Sequence, residues 1–265
     1  MKPDETDEGS GRLIGSLHLM QQGTSGPPLI LLHGFAATCE SWRLVLDKLP
    51  ADQMVLAYDL PGHGSSASYL TSGRTAEAAD AILEDLAQRD LGTVHLCGHS
   101  MGGAIACLIA LKSPSTVRSL TLLAPGGFGP EINARLLRRF AVADSEEALL
   151  PLFEQFYGWR SNVNRAALRS LVDDRKRDEA GQIYLKTAEL FLDGEFQYQI
   201  SREALRDMKI STRVIWGTQD RITPTRQAHK LPGEFGVHIF DGVGHSIVDE
   251  IPDQLVQLLK EQLKI

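Results

Sequence analysis

Gly98-His99-Ser100-Met101-Gly102-Gly103 decides how this chain is read. It follows the apolar run Val94 to Cys97 and leads into Ala104-Ile105-Ala106-Cys107-Leu108. That order predicts a strand, a sharp turn and a buried helix, with a serine at the apex. The spacing G-x-S-x-G is that of a nucleophile elbow. Glycine at 98 and 102 has a steric reason, because so tight a turn leaves no room for neighbouring side chains and strains the serine backbone. The turn exposes the Ser100 hydroxyl at a helix N-terminus, where free N–H groups and the helix dipole favour developing negative charge.

Outward from the elbow the chain alternates. Leu13 to Met20 reads as an early strand, Gly23 to Pro28 as a turn, and Leu29 to Leu32 as a strand buried on both faces. His33-Gly34-Phe35-Ala36-Ala37-Thr38 is a loop, and Trp42, Val45, Leu46 and Leu49 give Glu40 to Leu49 a helical spacing. Met54 to Tyr58 is a strand that ends in Asp59-Leu60-Pro61-Gly62-His63-Gly64, a loop by its Pro and Gly content. Thr75 to Arg89 is an amphipathic helix, and Leu120 to Leu123 is a further strand. After Pro125-Gly126-Gly127-Phe128-Gly129-Pro130, the pattern from Glu131 to about Met208 is almost wholly helical. Strands resume at Arg213 to Trp216 and Val237 to Phe240, and a helix from Asp253 to Leu263 closes the chain. This is an α/β pattern, a mainly parallel sheet with helices on both faces. The expected organisation is a flexible acidic tail at 1–11, a core from 12–126 and 209–265, and a helical cap at 127–208. Such a cap would lie over the carboxyl edge of the sheet, where open α/β sheets place their ligands.

The bulk numbers exclude several classes. The 265 residues are 43% hydrophobic, enough for a sizeable core, and the net charge is −7. An acidic chain offers no electrostatic case for nucleic acid or an anionic membrane. No apolar run approaches the roughly 18 residues that span a bilayer. The acidic N-terminus has no apolar stretch like that of a signal peptide. An odd count of three cysteines argues for a reducing compartment, so a cytoplasmic location is expected. Cys97 and Cys107 fall on core elements, while Cys39 stands where it could line a site entrance. No Cys/His spacing suits a metal, and no cofactor is expected. The expected partner is a small-molecule substrate.

A serine nucleophile needs a base, an acid and an oxyanion hole. His245, in the Gly-rich loop Asp241-Gly242-Val243-Gly244-His245-Ser246 past the last strand, falls on the same sheet edge as the elbow. Asp220, in Trp216-Gly217-Thr218-Gln219-Asp220-Arg221, follows a strand directly and gives the order Ser100, Asp220, His245. The end of the preceding strand, Leu122-Leu123-Ala124-Pro125, carries no carboxylate. Asp249 and Glu250 are rival acids, but there they would open the last helix. The backbone N–H groups of Met101 and Phe35 are the expected oxyanion donors. His33, Gly34, Phe35, His99 and Phe128, in or beside the framing loops, are candidate substrate contacts. Arg135, Arg138, Arg139, Arg165 and Arg169 are dense enough to clamp a carboxylate, yet acidic residues are as dense around them. Phe153, Phe156, Tyr157, Trp159, Phe191, Phe196 and Tyr198 supply the aromatic surface of the predicted cap.

His33-Gly34-Phe35, Asp59-Leu60-Pro61-Gly62-His63-Gly64-Ser65, the elbow, Gly217-Thr218-Gln219-Asp220 and Gly244-His245 together resemble the α/β-hydrolase superfamily. The resemblance runs from about residue 12 to the end. It implies an eight-stranded, mostly parallel sheet with a helical cap after strand six. Ala124 to Asn133 is similar to the hydrolase-like module of acetoin dehydrogenase acyltransferase-component proteins. Those longer relatives carry a lipoyl domain, for which this chain has no room. The resemblance implies hydrolysis of an ester, thioester or activated amide through an acyl-Ser100 intermediate. Three alternatives stay open: carbon–carbon bond hydrolysis, cofactor-free haloperoxidase or perhydrolase chemistry, and a non-catalytic binding protein on the same fold. Meta-cleavage-product hydrolases usually place a tryptophan after the catalytic histidine, where this chain has Ser246.

Overall fold

The computed structural model describes residues 16–69, 73–177 and 179–264. The expected acidic tail and the expected strand start at Leu13 lie outside them. Among the described residues the first half holds β1 (Leu19–Gln22), β2 (Ser25–Leu32), α1 (Arg43–Leu46), β3 (Gln53–Tyr58), α2 (Thr75–Gln88), β4 (Val94–His99), α3 (Met101–Lys112) and β5 (Val117–Leu123). An insertion follows: α4 (Ala134–Val142), α5 (Glu146–Phe153), α6 (Arg165–Asp174), α7 (Ala180–Phe191), β6 (Leu192–Asp193), β7 (Phe196–Gln197) and α8 (Arg202–Asp207). The chain then returns through β8 (Ser211–Gly217), β9 (Gly236–Phe240), α9 (Ile247–Glu250) and α10 (Pro252–Leu263).

Seven strands form one sheet in the order β1-β3-β2-β4-β5-β8-β9. Only the β1–β3 pair is antiparallel. The sheet therefore has seven strands among the described residues where eight were expected. Leu29 to Leu32 are buried at the sheet centre, as a continuous apolar run between two helix layers requires. Leu255, Leu259 and Leu263 bury one face of α10, and Pro252 starts it at a position that needs no N–H donor.

Three local expectations are corrected. The helix expected over Glu40 to Leu49 is a single turn, α1, after a tighter turn at Cys39–Trp42. The Asp59 carboxylate accepts the Cys39 N–H at 2.7 Å and fixes that start, and Pro50 stops the segment. The insertion is not all helical, because β6 and β7 pair as a hairpin. Its two-residue turn is Gly194-Glu195, with Gly194 at φ 62°, the left-handed first turn position that glycine favours in a tight hairpin. Asp249 and Glu250 do not open the last helix; they end α9, before Pro252.

The insertion is tied to the core by a buried polar cluster. Asp174 accepts from Arg175 Nη1 at 3.3 Å, from Arg177 Nε at 2.9 Å and from the Tyr184 hydroxyl. Arg175, with a side chain only 1% exposed, also donates to Ala36 O at 3.3 Å. Its guanidinium lies 4.5 Å from the Tyr184 ring centre. Removing one partner from such a cluster leaves a buried charge uncompensated. Asp174→Ala is therefore expected to lower unfolding free energy by about 3–5 kcal/mol. Urea denaturation measures it, and a loss below about 1 kcal/mol would contradict the reading.

Candidate active site

The carboxyl ends of β2, β4, β8 and β9 share one edge of the sheet and deliver every part of the expected site. At the end of β4 the chain turns through Ser100 at φ 53°, ψ −116°, a costly conformation for a residue with a side chain. Four backbone bonds hold it: Ser100 N–H to Leu123 O at 2.8 Å, and to Ser100 O the N–H groups of Gly103 and Gly126, both at 2.9 Å, and of Ala104 at 3.2 Å. The glycines are compulsory. A Cβ on Gly98 would stand 2.3 Å from Gly102 O, and one on Gly102 would stand 2.3 Å from Leu32 O. Ser100 caps α3 by position, but its hydroxyl makes no capping bond.

His245 Nδ1 donates to Asp220 Oδ2 at 2.8 Å, with side chains 1% and 0% exposed. This bond fixes the tautomer and leaves Nε2 as the basic atom. Asp220 is oriented by four further donors. Oδ1 accepts Ile222 N–H at 2.8 Å and Thr223 N–H at 3.0 Å. Oδ2 accepts Trp216 Nε1–H at 3.0 Å and the Thr223 hydroxyl at 3.1 Å. Together these donors fix the carboxylate in one orientation toward His245. Ser100 and His245 line the same cavity, of about 210 Å³, together with Gly34, Phe35 and His99.

The His245 loop is held from two sides. Phe156 O in the insertion accepts His245 N–H at 2.6 Å and Ser246 N–H at 2.9 Å. From the elbow, His99 Nε2 donates to His245 O at 2.9 Å. Gly244 permits this approach, since a Cβ there would lie 2.5 Å from Phe156 O. Asp249 and Glu250, the rival acids, serve the same contact. Asp249 accepts the Tyr157 hydroxyl at 2.6 Å and Asn164 Nδ2 at 2.7 Å. Glu250 accepts Gly158 N–H and Gly244 N–H, each at 2.9 Å, and the Ser161 hydroxyl. They bind the insertion to the base loop, and the bond to His245 Nδ1 comes from Asp220.

The structure sorts the other candidates. Gly34, Phe35 and His99 reach the cavity. His33 does not: its Nε2 accepts Leu60 N–H at 3.0 Å and its Nδ1 donates to Gly34 O at 2.8 Å. Both ring nitrogens pin the loop, so His33 positions Phe35 without facing a ligand. Phe128 is also no contact. Gly127, at φ 79°, turns the chain there and the Phe128 ring is 2% exposed in the core. Cys39 is buried away from the cavity, beside the half-exposed His18 that pairs with Asp59 at 2.9 Å. Cys39 Sγ, His18 Nδ1 and an Asp59 oxygen lie within 4.8 Å of one another, a convergence that sequence spacing did not show. The Asp59 oxygens already accept Cys39 N–H at 2.7 Å and Ser65 N–H at 2.8 Å, and burial pushes the Cys39 thiol up, away from the thiolate a metal requires. Arg138 pairs with Glu189 at 2.7 Å and Arg165 with Glu146 at 3.7 Å, and Arg135, Arg138, Arg139, Arg165 and Arg169 line neither cavity beside Ser100.

Sequence reasoning missed the residues that act on the site through backbone, above all Phe156 and its carbonyl. No side-chain pattern announces a carbonyl acceptor. Trp216 and Thr223 were closer to legible, because they flank Asp220.

Burial, and then the neighbouring His245, bring the His99 imidazole down to about 3. Burial, and then His33, bring His63 down to about 3 as well. Both rings are neutral in the folded protein, and His99 places no positive charge beside the base. In the unfolded chain each takes a proton near 6.5. Between about 3 and 6.5 the unfolded state therefore binds more protons, and stability rises with pH, then levels off above 6.5. Each histidine contributes up to about 1.4 kcal/mol per pH unit in that window. Urea midpoints measured from pH 4.5 to 8 test this; a midpoint that does not fall below pH 6 would refute it.

Fold and site geometry together define a hydrolase architecture. The model of the alpha/beta hydrolase family matches residues 29–258, and the chain belongs to that family. It is similar to the dihydrolipoyllysine-residue acetyltransferase component of the acetoin cleaving system of Pseudomonas putida, 33% identical over 96% of this chain and 67% of that protein. It is also similar to monoacylglycerol lipase abhd6-B of Xenopus laevis, 27% identical over 89% of this chain and 75% of the lipase. The chain thus spans about two thirds to three quarters of these relatives. Among solved structures, a meta-cleavage product hydrolase of Pseudomonas fluorescens IP01 superposes with a TM-score of 0.81 at 21% identity, covering 94% of each chain. An esterase from Exiguobacterium antarcticum gives 0.80 at 20% identity, over 94% of this chain and 96% of its own. At those identities the likeness is one of fold. Among the described residues, no helix is long and apolar enough to cross a membrane.

Proposed function

We propose that this chain is a serine hydrolase that cleaves a small-molecule ester or thioester through an acyl-Ser100 intermediate. The observation that carries the reading is the buried His245–Asp220 pair at 2.8 Å, with His245 and Ser100 lining one cavity. In this reading Ser100 Oγ attacks the carbonyl carbon and His245 Nε2 takes its proton. The carbonyl oxygen becomes an oxyanion facing the N–H groups of Met101 and Phe35. The Met101 N–H is the first of α3, one of the donors a helix leaves unpaired. A Cβ on Gly34 would lie 3.4 Å from Ser100 Cβ, so the Phe35 backbone runs beside the nucleophile. As the intermediate collapses, His245 protonates the leaving group; it then activates water to release the acid. No metal or cofactor is required by this cycle. The insertion at 127–208 serves as a cap that supplies Phe140, Phe153 and Phe156 to the cavity wall. The acetyltransferase name of the Pseudomonas putida relative fits the same acyl-serine step with a thiol in place of water as acceptor.

A fluorophosphonate probe tests the reading. It should label the protein stoichiometrically, with peptide mass spectrometry placing the adduct on Ser100. An unlabelled protein, or an adduct elsewhere, overturns it.

A further inference from the structure

Ser100 stands where two cavities meet. The smaller holds His99, His245 and Asp249. The larger, about 470 Å³, contains Ser100 but neither His99 nor His245 among its lining residues. Its floor is one face of α3, through Met101, Ala104, Leu108 and Leu111, and its roof includes Phe191 and Ile200 of the insertion.

The sequence of α3 explains the cavity. Ile105, Ala106 and Ile109 bury one face in the core, while Ala104, Leu108 and Leu111 stay only partly buried on another. A helix between core and water carries polar residues on its outer face. This one is apolar on both faces, which fits a second apolar partner. Of the polar side chains on the wall, which include Arg74, Thr75 and Gln199, Gln197 and Ser201 are already committed. Gln197 Oε1 accepts Gly127 N–H at 3.0 Å and Nε2 donates to Glu131 O at 3.2 Å; Ser201 Oγ caps α8. Tyr198, 62% exposed, marks the rim toward solvent.

The chemistry says which half of a substrate goes where. The leaving group must accept a proton from His245 Nε2, so it lies on the His245 side, in the smaller cavity. The acyl chain, on the other bond of the same carbonyl carbon, points away from His245. We propose, resting on the serine hydrolase reading above, that the larger cavity is the acyl subsite and that the substrates are esters of unbranched aliphatic acids of medium length. Met101 to Leu111 spans about 15 Å of helix at 1.5 Å per residue. An extended chain advances about 1.1–1.2 Å per bond, as the peptide backbone does. The floor is therefore long enough for acyl chains of up to about thirteen carbons. In each turnover the Ser100 Oγ–acyl bond forms as the acyl–leaving-group bond breaks. The serine proton passes through His245 to the leaving oxygen, and water then releases the fatty acid and restores Ser100.

The test is the chain-length profile of kcat/KM with p-nitrophenyl acetate, butanoate, octanoate, decanoate and hexadecanoate, below their aggregation limits. Each buried methylene is worth up to about fourfold, so octanoate should exceed acetate by at least about tenfold, with hexadecanoate falling again. Leu108→Trp should reduce the octanoate-to-acetate ratio at least about tenfold by obstructing the floor. Ala167→Trp, in the smaller cavity, should change all chain lengths alike. Should Leu108→Trp fail to fold, the wild-type profile decides alone. A flat or falling profile in a protein that the fluorophosphonate labels overturns the acyl assignment and leaves the hydrolase reading standing. A protein that neither labels nor turns over any ester defeats both.

Discussion

Ser100→Ala is expected to lower kcat on any ester the protein cleaves by on the order of 10⁴–10⁶-fold, with KM changed far less. The size follows from how the nucleophile is placed. The elbow holds Ser100 at φ 53° and its hydroxyl caps nothing, so its loss removes the covalent step without disturbing a structural bond. Alanine occupies the same backbone region at similar cost, and the urea midpoint should stay close to that of wild type. What activity is left would come from the oxyanion donors and from binding. Steady-state kinetics with an ester that the wild type turns over well measures the change. A loss smaller than about tenfold would show that another group delivers the attack, and the acyl-Ser100 scheme would fail.

The second large effect is expected at Asp220. Asp220→Asn keeps the shape of the side chain but puts an amide where Oδ2 accepts His245 Nδ1–H at 2.8 Å. If the amide nitrogen takes that place, it stabilises the tautomer with the proton on Nε2, which cannot accept the serine proton. If the amide is reversed, its nitrogen faces the Ile222 and Thr223 N–H groups, 2.8 and 3.0 Å from Oδ1. Two donors then oppose each other in a buried site, which costs stability. In the first orientation kcat should fall by about 10⁴-fold, and in the second it falls because the charge that stabilises the imidazolium is gone. Kinetics paired with a thermal melt separates the outcomes, and a variant within tenfold of wild type would remove Asp220 from the mechanism.

Much of this site is readable in sequence because it depends on residue types that only certain geometries require. Gly98 and Gly102 announce a turn that excludes side chains. The runs Leu29 to Leu32 and Val94 to Cys97 announce strands covered on both faces. Asp220 and His245 are visible because each directly follows a strand, so the fold carries both to one edge. The insertion was readable only in outline. Its helices show in their periodicity, yet the β6–β7 hairpin is two residues per strand, too short for an alternating pattern to register. His33 and Phe128 were misassigned for a common reason. Loop position tells that a side chain is near the site, but whether it faces the cavity depends on bonds to distant backbone, such as Leu60 N–H to His33 Nε2. Arg175 went unnoticed among many arginines, since charge density cannot show which one is inside.

The two bonds from the His245 loop to Phe156 O bear on how such a protein can diversify. The stretch around Phe156 belongs to the insertion. Yet here it also suspends the backbone of His245, and Asp249 and Glu250 fasten the same junction. Lineages descending from this scaffold can therefore rewrite the insertion unevenly. On the hairpin side the exposed Phe196 and Tyr198 side chains can be exchanged, provided Gln197 between them keeps its bonds to Gly127 and Glu131. The Phe156–Ser161 side must conserve a carbonyl at one position in space whatever its sequence becomes. A chimera that imports a foreign insertion should be joined so that this short stretch stays native, with the crossover placed after it.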